Sequence, residues 1–209
     1  MLPPPELVLA SASPRRRELL RLAGIPFRVV IRHGPQEDLP KTTTKPGELV
    51  EKLALQKAEA VAGTARGLIL GADTIVVLGT DILGKPANRE QAAKMLERLS
   101  GRSHEVYSGL ALIDNRGDKV RVSTAHEKTE VTFRRLSKEE IDWYLSTGEI
   151  FGKAGAYAIQ GRGGLLVKKI NGDFFNVVGL PLGLLPKLLA KLGQLPWEQP
   201  PRPPGSYAS

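Results

Sequence analysis

Short apolar runs alternate with helix-start signals along most of this chain, and a sheet with helices packed on it is the architecture that accommodates such an order. Leu7-Val8-Leu9-Ala10 reads as a short buried strand. Ser13 followed by Pro14 starts a helix whose apolar face carries Leu19, Leu20 and Leu22 and which Gly24 ends. Phe27–Ile31 predicts a strand, and Pro46 opens a second helix through Ala62, with Leu49, Leu53, Lys57 and Val61 at spacing four. Leu68–Leu70 and Ile75–Leu78 are β-like runs separated by Gly71-Ala72-Asp73-Thr74. Asn88 with Gln91, and Ser137 with Glu140, are capping pairs for two further helices, the first closed by Gly101. Val106–Ile113 and Lys119–Phe133 are strands joined by the turn Asp114-Asn115-Arg116-Gly117. Short strands are expected between Gly152 and Gly179, then a Leu-rich helix from about Pro181 to Leu192. The expectation is an α/β fold on a mixed sheet.

At 209 residues the chain suits one substantial domain, residues 1–195, and the Pro-rich stretch 196–209 reads as an extended or disordered tail. A hydrophobic share of 41% with 25% charged residues is that of a globular chain. No apolar run approaches the roughly 20 residues that span a bilayer, and the first residues lack a secretory signal. Without cysteine there is no disulfide framework, thiolate nucleophile or zinc–thiolate site. A cytoplasmic protein with no membrane partner is expected. The formal charge of +8 attracts anions, and it lies in the folded part, because Gly193–Ser209 carries one Arg and one Glu. An RNA-binding module is one outlet for that charge. With 5% aromatics, no RNP-like motif and no basic block, nucleic acid is not expected as the partner.

Arg15, Arg16 and Arg17 occupy the first turn of the first predicted helix, where the macrodipole already carries positive charge. Each is misplaced there by about 0.3–1 kcal/mol if exposed, and an anion reverses the sign. With Ser11 and Ser13 beside them, they describe a phosphate site. Lys57 interrupts an apolar ridge, as a snorkelling lysine also would. Asp73 interrupts two apolar runs, so it needs a metal, a cation or an N–H nest unless it turns a hairpin. Gly79–Lys85 nearly fits a P-loop, but Pro86 supplies neither hydroxyl nor N–H, so Gly79-Thr80-Asp81 reads as a hairpin turn with Lys85 at the end of the returning strand. His33, His104 and His126 show no metal-ligand spacing and read as structural or exposed.

The chain resembles the Maf (septum-formation inhibitor-like) nucleoside triphosphate pyrophosphatases from roughly Leu7 to Leu192. Seven motifs in order carry the resemblance: Leu9-Ala10-Ser11-Ala12-Ser13-Pro14-Arg15-Arg16, Gln56-Lys57-Ala58, Gly71-Ala72-Asp73-Thr74-Ile75, Gly84-Lys85-Pro86, the run from Leu99 to His104, the run from Lys153 to Gly161, and the run from Asn171 to Pro181. It implies a mixed, curved β-sheet with flanking helices in two lobes around a cleft, related to the inosine-triphosphate pyrophosphatases. It also implies hydrolysis of a nucleoside triphosphate between the α and β phosphates with a divalent cation, Mg or Mn. Asp73 falls on the family's proposed proton acceptor, while Ser11, Arg16, Lys57 and Lys85 fall on phosphate-binding positions and Glu37 on a further polar one. Arg15, Thr74 and Gln160, with Lys153, resemble the subgroup acting on dTTP and UTP. The metal would be held through Asp73 and Glu37, with proton acceptor and metal ligand as alternative roles for Asp73. A homodimer is implied by the family, and its name suggests a non-catalytic regulator of cell division as another function. Gly152, Ala158, Gly84 and Pro35-Gln36 depart from residues common in the family.

Overall fold

In the computed structural model, which describes residues 6–32 and 39–194, three long strands form the spine of the molecule. They are β3 (Leu68–Leu78), β5 (Ser103–Asp114) and β6 (Arg121–Phe133). β1 (Leu7–Leu9), β2 (Phe27–Val29), β4 (Asp81–Leu83) and β7 (Val167–Asn171) complete a mixed seven-stranded sheet. Its order is β2-β1-β3-β5-β6-β7, with β4 on β3. The helices are α1 (Pro14–Leu22), α2 (Pro46–Ala62), α3 (Arg89–Leu99), α4 (Lys138–Ser146), α5 (Phe174–Val178) and α6 (Leu185–Lys191).

Side chains alternate across a strand, so each long strand serves two cores. Ile69 of β3 and Ala111 and Ile113 of β5 face α2, packing on Ala54, Ala58 and Val61. On the other face, Leu68, Leu70 and Ala72 with Leu110 and Leu112 join Leu19 and Leu20 of α1 and the leucines of α6. Farther along that face, Val76 and Val106 belong to a separate core with Leu96 and Leu99 of α3 and Ile141, Tyr144 and Leu145 of α4. The two cores are two lobes on one sheet. Between them, in the same rows, stand Thr74 and Ser108, which are cross-strand partners.

A second feature opens the cleft. β1 pairs with β3 only over Leu68–Leu70, and β4 pairs with it only over Val76–Leu78. The intervening edge of β3 lacks a strand partner, whereas its other edge pairs with β5 from Leu68 to Val77. Backbone polar groups left in such a gap need other partners. Asp73 and Thr74 lie in it, one on each face of the sheet.

The expected α/β fold, two-lobed around a cleft, is what the chain forms, and both capping pairs are in place. Asn88 Oδ1 accepts from Gln91 N at 2.9 Å, and Ser137 and Glu140 form a reciprocal capping box. Three expectations differ. Gly71–Thr74 does not separate two strands or turn a hairpin, because the register with β5 carries one strand of 11 residues straight through it. The segment Gly152–Gly179 holds one strand and otherwise 3-10 turns and α5, since consecutive left-handed residues such as Gly155 (φ 68°) and Ala156 (φ 61°) forbid an extended run. Ser13 is the N-cap of α1 without a side-chain cap bond; its own N–H donates to Ser11 Oγ at 3.3 Å. The tail 196–209 and Glu37 lie outside the described residues.

Candidate active site

The position of α2 decides what Asp73 meets. α2 lies directly on two glycines of the sheet: a Cβ at Gly71 would stand 2.1 Å from the Ala54 carbonyl oxygen, and one at Gly109 would stand 2.2 Å from that of Val50. Gly109 is the cross-strand partner of Asp73. The close approach brings Lys57 of α2 onto Asp73, and Lys57 Nζ donates to Asp73 Oδ1. A snorkelling stem would leave the ammonium in water; here it caps a carboxylate that is 15% exposed. The Lys57 pKa is lowered by desolvation, with Arg16 and Lys85 adding repulsion and Asp73 opposing the shift.

Arg16 is buried on the other face and fills the gap in the β3 edge. Its Nη1 donates to the Ala72 carbonyl at 2.9 Å and to Ser11 Oγ at 3.0 Å, and its Nε donates to the Gly179 carbonyl at 2.9 Å. Its Nη2 donates to Thr74 Oγ1 at 3.2 Å. Four of its five N–H groups are thereby committed, leaving one for a ligand. Burial lowers its pKa, and Asp73 opposes that shift. The three arginines read alike in sequence, but only this one ties α1, β3 and the end of α5 together.

The cleft is lined by Ser13, Arg15 and Arg16 of the α1 start, by Lys57, by Asp73 and Thr74, and by Lys85 just beyond β4. Its far wall is Lys153, Tyr157, Ile159 and Gln160, and Val178 and Gly179 close one end. Arg15 and Lys153 both have pKa values lowered by desolvation. Gln160 precedes a 3-10 turn without capping it, so its amide is not spent there. Among the described residues, five cations and a single carboxylate line this space.

Of the residues proposed from sequence, Arg15, Arg16, Lys57, Asp73, Thr74, Lys85, Lys153 and Gln160 meet in this cleft. Ser11 does not line it; it sits behind Arg16 and holds the guanidinium. Sequence reasoning missed the parts played by Tyr157 and by the pair Ser108 and Asn176 beneath Thr74. Tyr157 and Ser108 carry no signal without the register and the loop geometry. His104 is buried, its Nε2 lies 2.8 Å from Tyr157 Oη, and burial pushes its pKa down to about 4. It is therefore neutral near pH 7 and supports the tyrosine wall. His126 sits half-exposed beside Glu51, away from the cleft.

No group of three or more His, Cys, Asp or Glu that could hold a metal occurs among the described residues. Mg²⁺ and its relatives are commonly held by one or two carboxylates, waters and substrate phosphates. Asp73, the one carboxylate among the described residues that line the cleft, fits that mode.

The profile of the Maf-like proteins matches residues 6–192. The chain belongs to the Maf family. Among Maf relatives, the dTTP/UTP pyrophosphatase of Symbiobacterium thermophilum is 53% identical over 190 residues, covering 90% of this chain and 94% of its own. That of Pelotomaculum thermopropionicum is 51% identical over 189 residues, covering 90% and 97%. The solved nucleoside-triphosphatase (dITP/XTP pyrophosphatase) of Mycobacterium abscessus is similar to this Maf chain at a TM-score of 0.40 and 19% identity, over 63% of this chain and 75% of that one.

Proposed function

We propose that the protein hydrolyses pyrimidine nucleoside triphosphates, dTTP and UTP foremost, to the monophosphate and pyrophosphate. The observation that carries this is the charge of the cleft: five cations surround one carboxylate, a balance that suits a polyanion with a reactive centre beside Asp73. Relatives at about half identity are named for this activity. Arg16, Lys57 and Lys85 neutralise charge that grows on the leaving pyrophosphate, and Asp73 accepts the proton of the attacking water or holds the divalent cation. Asp73, with Glu37 as the second ligand expected from the sequence, would hold a divalent cation, and that cation would supply Lewis-acid polarisation of the phosphate oxygens. The protein acts in the cytoplasm on free nucleotides; among the described residues no helix is long and apolar enough to cross a membrane.

Gln160 offers one acceptor and donors on a single amide, which suits the imide edge of uracil and thymine. A mismatched edge leaves buried partners unpaired. With Mg²⁺ or Mn²⁺, dTTP and UTP should exceed GTP and ATP by roughly 10-fold or more in kcat/KM, about 1.4 kcal/mol. Chelator should stop the reaction. Gln160→Glu should reduce turnover of UTP more than that of the purine nucleotides. A preference for purines in the unmodified protein, or equal losses across the panel in the variant, would count against this base assignment.

A further inference from the structure

Beneath the cleft lies a buried polar chain that fixes the direction of one proton. Ser108 is fully buried, and its Oγ is 3.0 Å from the Asn176 carbonyl oxygen and 2.8 Å from Thr74 Oγ1. A carbonyl only accepts, so the single hydroxyl proton of Ser108 goes to Asn176. Thr74 must then donate its own proton to Ser108. On its other side Thr74 accepts from Arg16 Nη2 at 3.2 Å.

The chain is anchored beneath the cleft floor. Asn176 Nδ2 donates to the Val106 carbonyl at 2.9 Å and to Thr129 Oγ1 at 2.9 Å. Thr129 is itself locked between the N–H and the carbonyl of Asp173, both at 3.0 Å. Ser108, Thr129 and Asn176 all have 0% exposure, so water cannot replace a lost partner there without a rearrangement.

The Thr74 hydroxyl has therefore spent its proton and one lone pair, and one lone pair remains on a residue that lines the cleft. Toward a ligand Thr74 can accept but cannot donate. Beside it stands the uncommitted N–H of Arg16. An acceptor next to a donor complements the N3–H and adjacent carbonyl of uracil or thymine, leaving the second carbonyl for an amide N–H of Gln160. With N3 held against Thr74, it opposes cytosine, whose N3 carries a lone pair instead of a proton. We propose that Ser108 is a positioning residue for base choice: by consuming the Thr74 proton it makes the cleft floor reject an unprotonated N3. This rests on the pyrimidine reading above and adds to it the means of separating uracil from cytosine.

The test compares UTP with CTP, both as kcat/KM and as binding of their α,β-methylene analogues, which needs no turnover. Ser108→Ala frees the Thr74 proton to swing toward the cleft. The UTP-to-CTP ratio should fall about 10-fold in both measurements, with CTP held or improved while UTP declines. Thr74→Val should lose the preference too, and Thr74→Ser, which keeps the hydroxyl, should retain it. If Ser108→Ala does not fold, Ser108→Cys gives the same readout, because its thiol is a weak acceptor of similar size. UTP and CTP declining in parallel in the Ser108 variant would make its role merely structural and overturn the proposal, as would an unchanged ratio in Thr74→Val. A wild-type protein that turns over pyrimidine nucleotides but does not separate the two analogues would overturn the relay and leave the hydrolase reading standing. One that binds neither would remove both.

Discussion

Asp73→Asn should lower kcat with UTP on the order of 10²-fold or more while leaving the melting temperature nearly unchanged. The amide matches the carboxylate in shape, so no cavity opens between β3 and α2. What it loses is the charge that pairs with Lys57 and the basicity, or the metal-ligand strength, that the reaction needs. Lys57 is then left without its partner, but its side chain is 44% exposed and can turn to water or to substrate phosphate, so the stability cost stays small. Steady-state kinetics with saturating Mg²⁺, alongside a thermal melt, would check both halves. Near-normal turnover in a folded Asp73→Asn protein would exclude proton acceptor and metal ligand alike.

Arg16→Met should instead damage both fold and activity. Methionine can fill much of the space, but it donates nothing to the carbonyls of Ala72 and Gly179 or to the hydroxyls of Ser11 and Thr74. Replacing a buried charge by an apolar side chain is neutral only when its partners change as well; here four acceptors are stranded. A loss of about 3 kcal/mol is expected, at the lower end of the range for a broken buried network, equivalent to roughly 6–12 °C in a domain of this size. The guanidinium charge and its remaining N–H are also removed from the cleft, so kcat/KM should fall on the order of 10²-fold. A melt within a degree or two of the unmodified protein would show that α1, β3 and α5 are held together by something other than Arg16.

The contrast between these two residues shows what a sequence can and cannot disclose. Helices α3 and α4 were legible because their capping pairs are local. The arginines after Ser13 marked an anion site through the helix dipole, also a local argument. Nothing local distinguishes Arg16 from Arg15 and Arg17: Arg16's partners Ala72, Thr74 and Gly179 lie 56 to 163 residues away. Asp73 was legible as an anomaly, a carboxylate among apolar residues, but its surroundings were not. The gap between β1 and β4 on the edge of β3 is a property of strand register. Ser108 was invisible for the same reason, since only that register sets it opposite Thr74. The left-handed Gly155 and Ala156 broke the glycine-rich segment into turns that composition alone read as strands.

In the proposed reaction water attacks the α phosphorus and pyrophosphate leaves. Hydrolysis of UTP in ¹⁸O-labelled water tests it in one reaction, read by mass spectrometry of both products. One labelled oxygen is expected in UMP and none in pyrophosphate, with no orthophosphate released by the protein itself. Label in the pyrophosphate, or UDP with labelled orthophosphate, would place the attack on the β or γ phosphorus and contradict it.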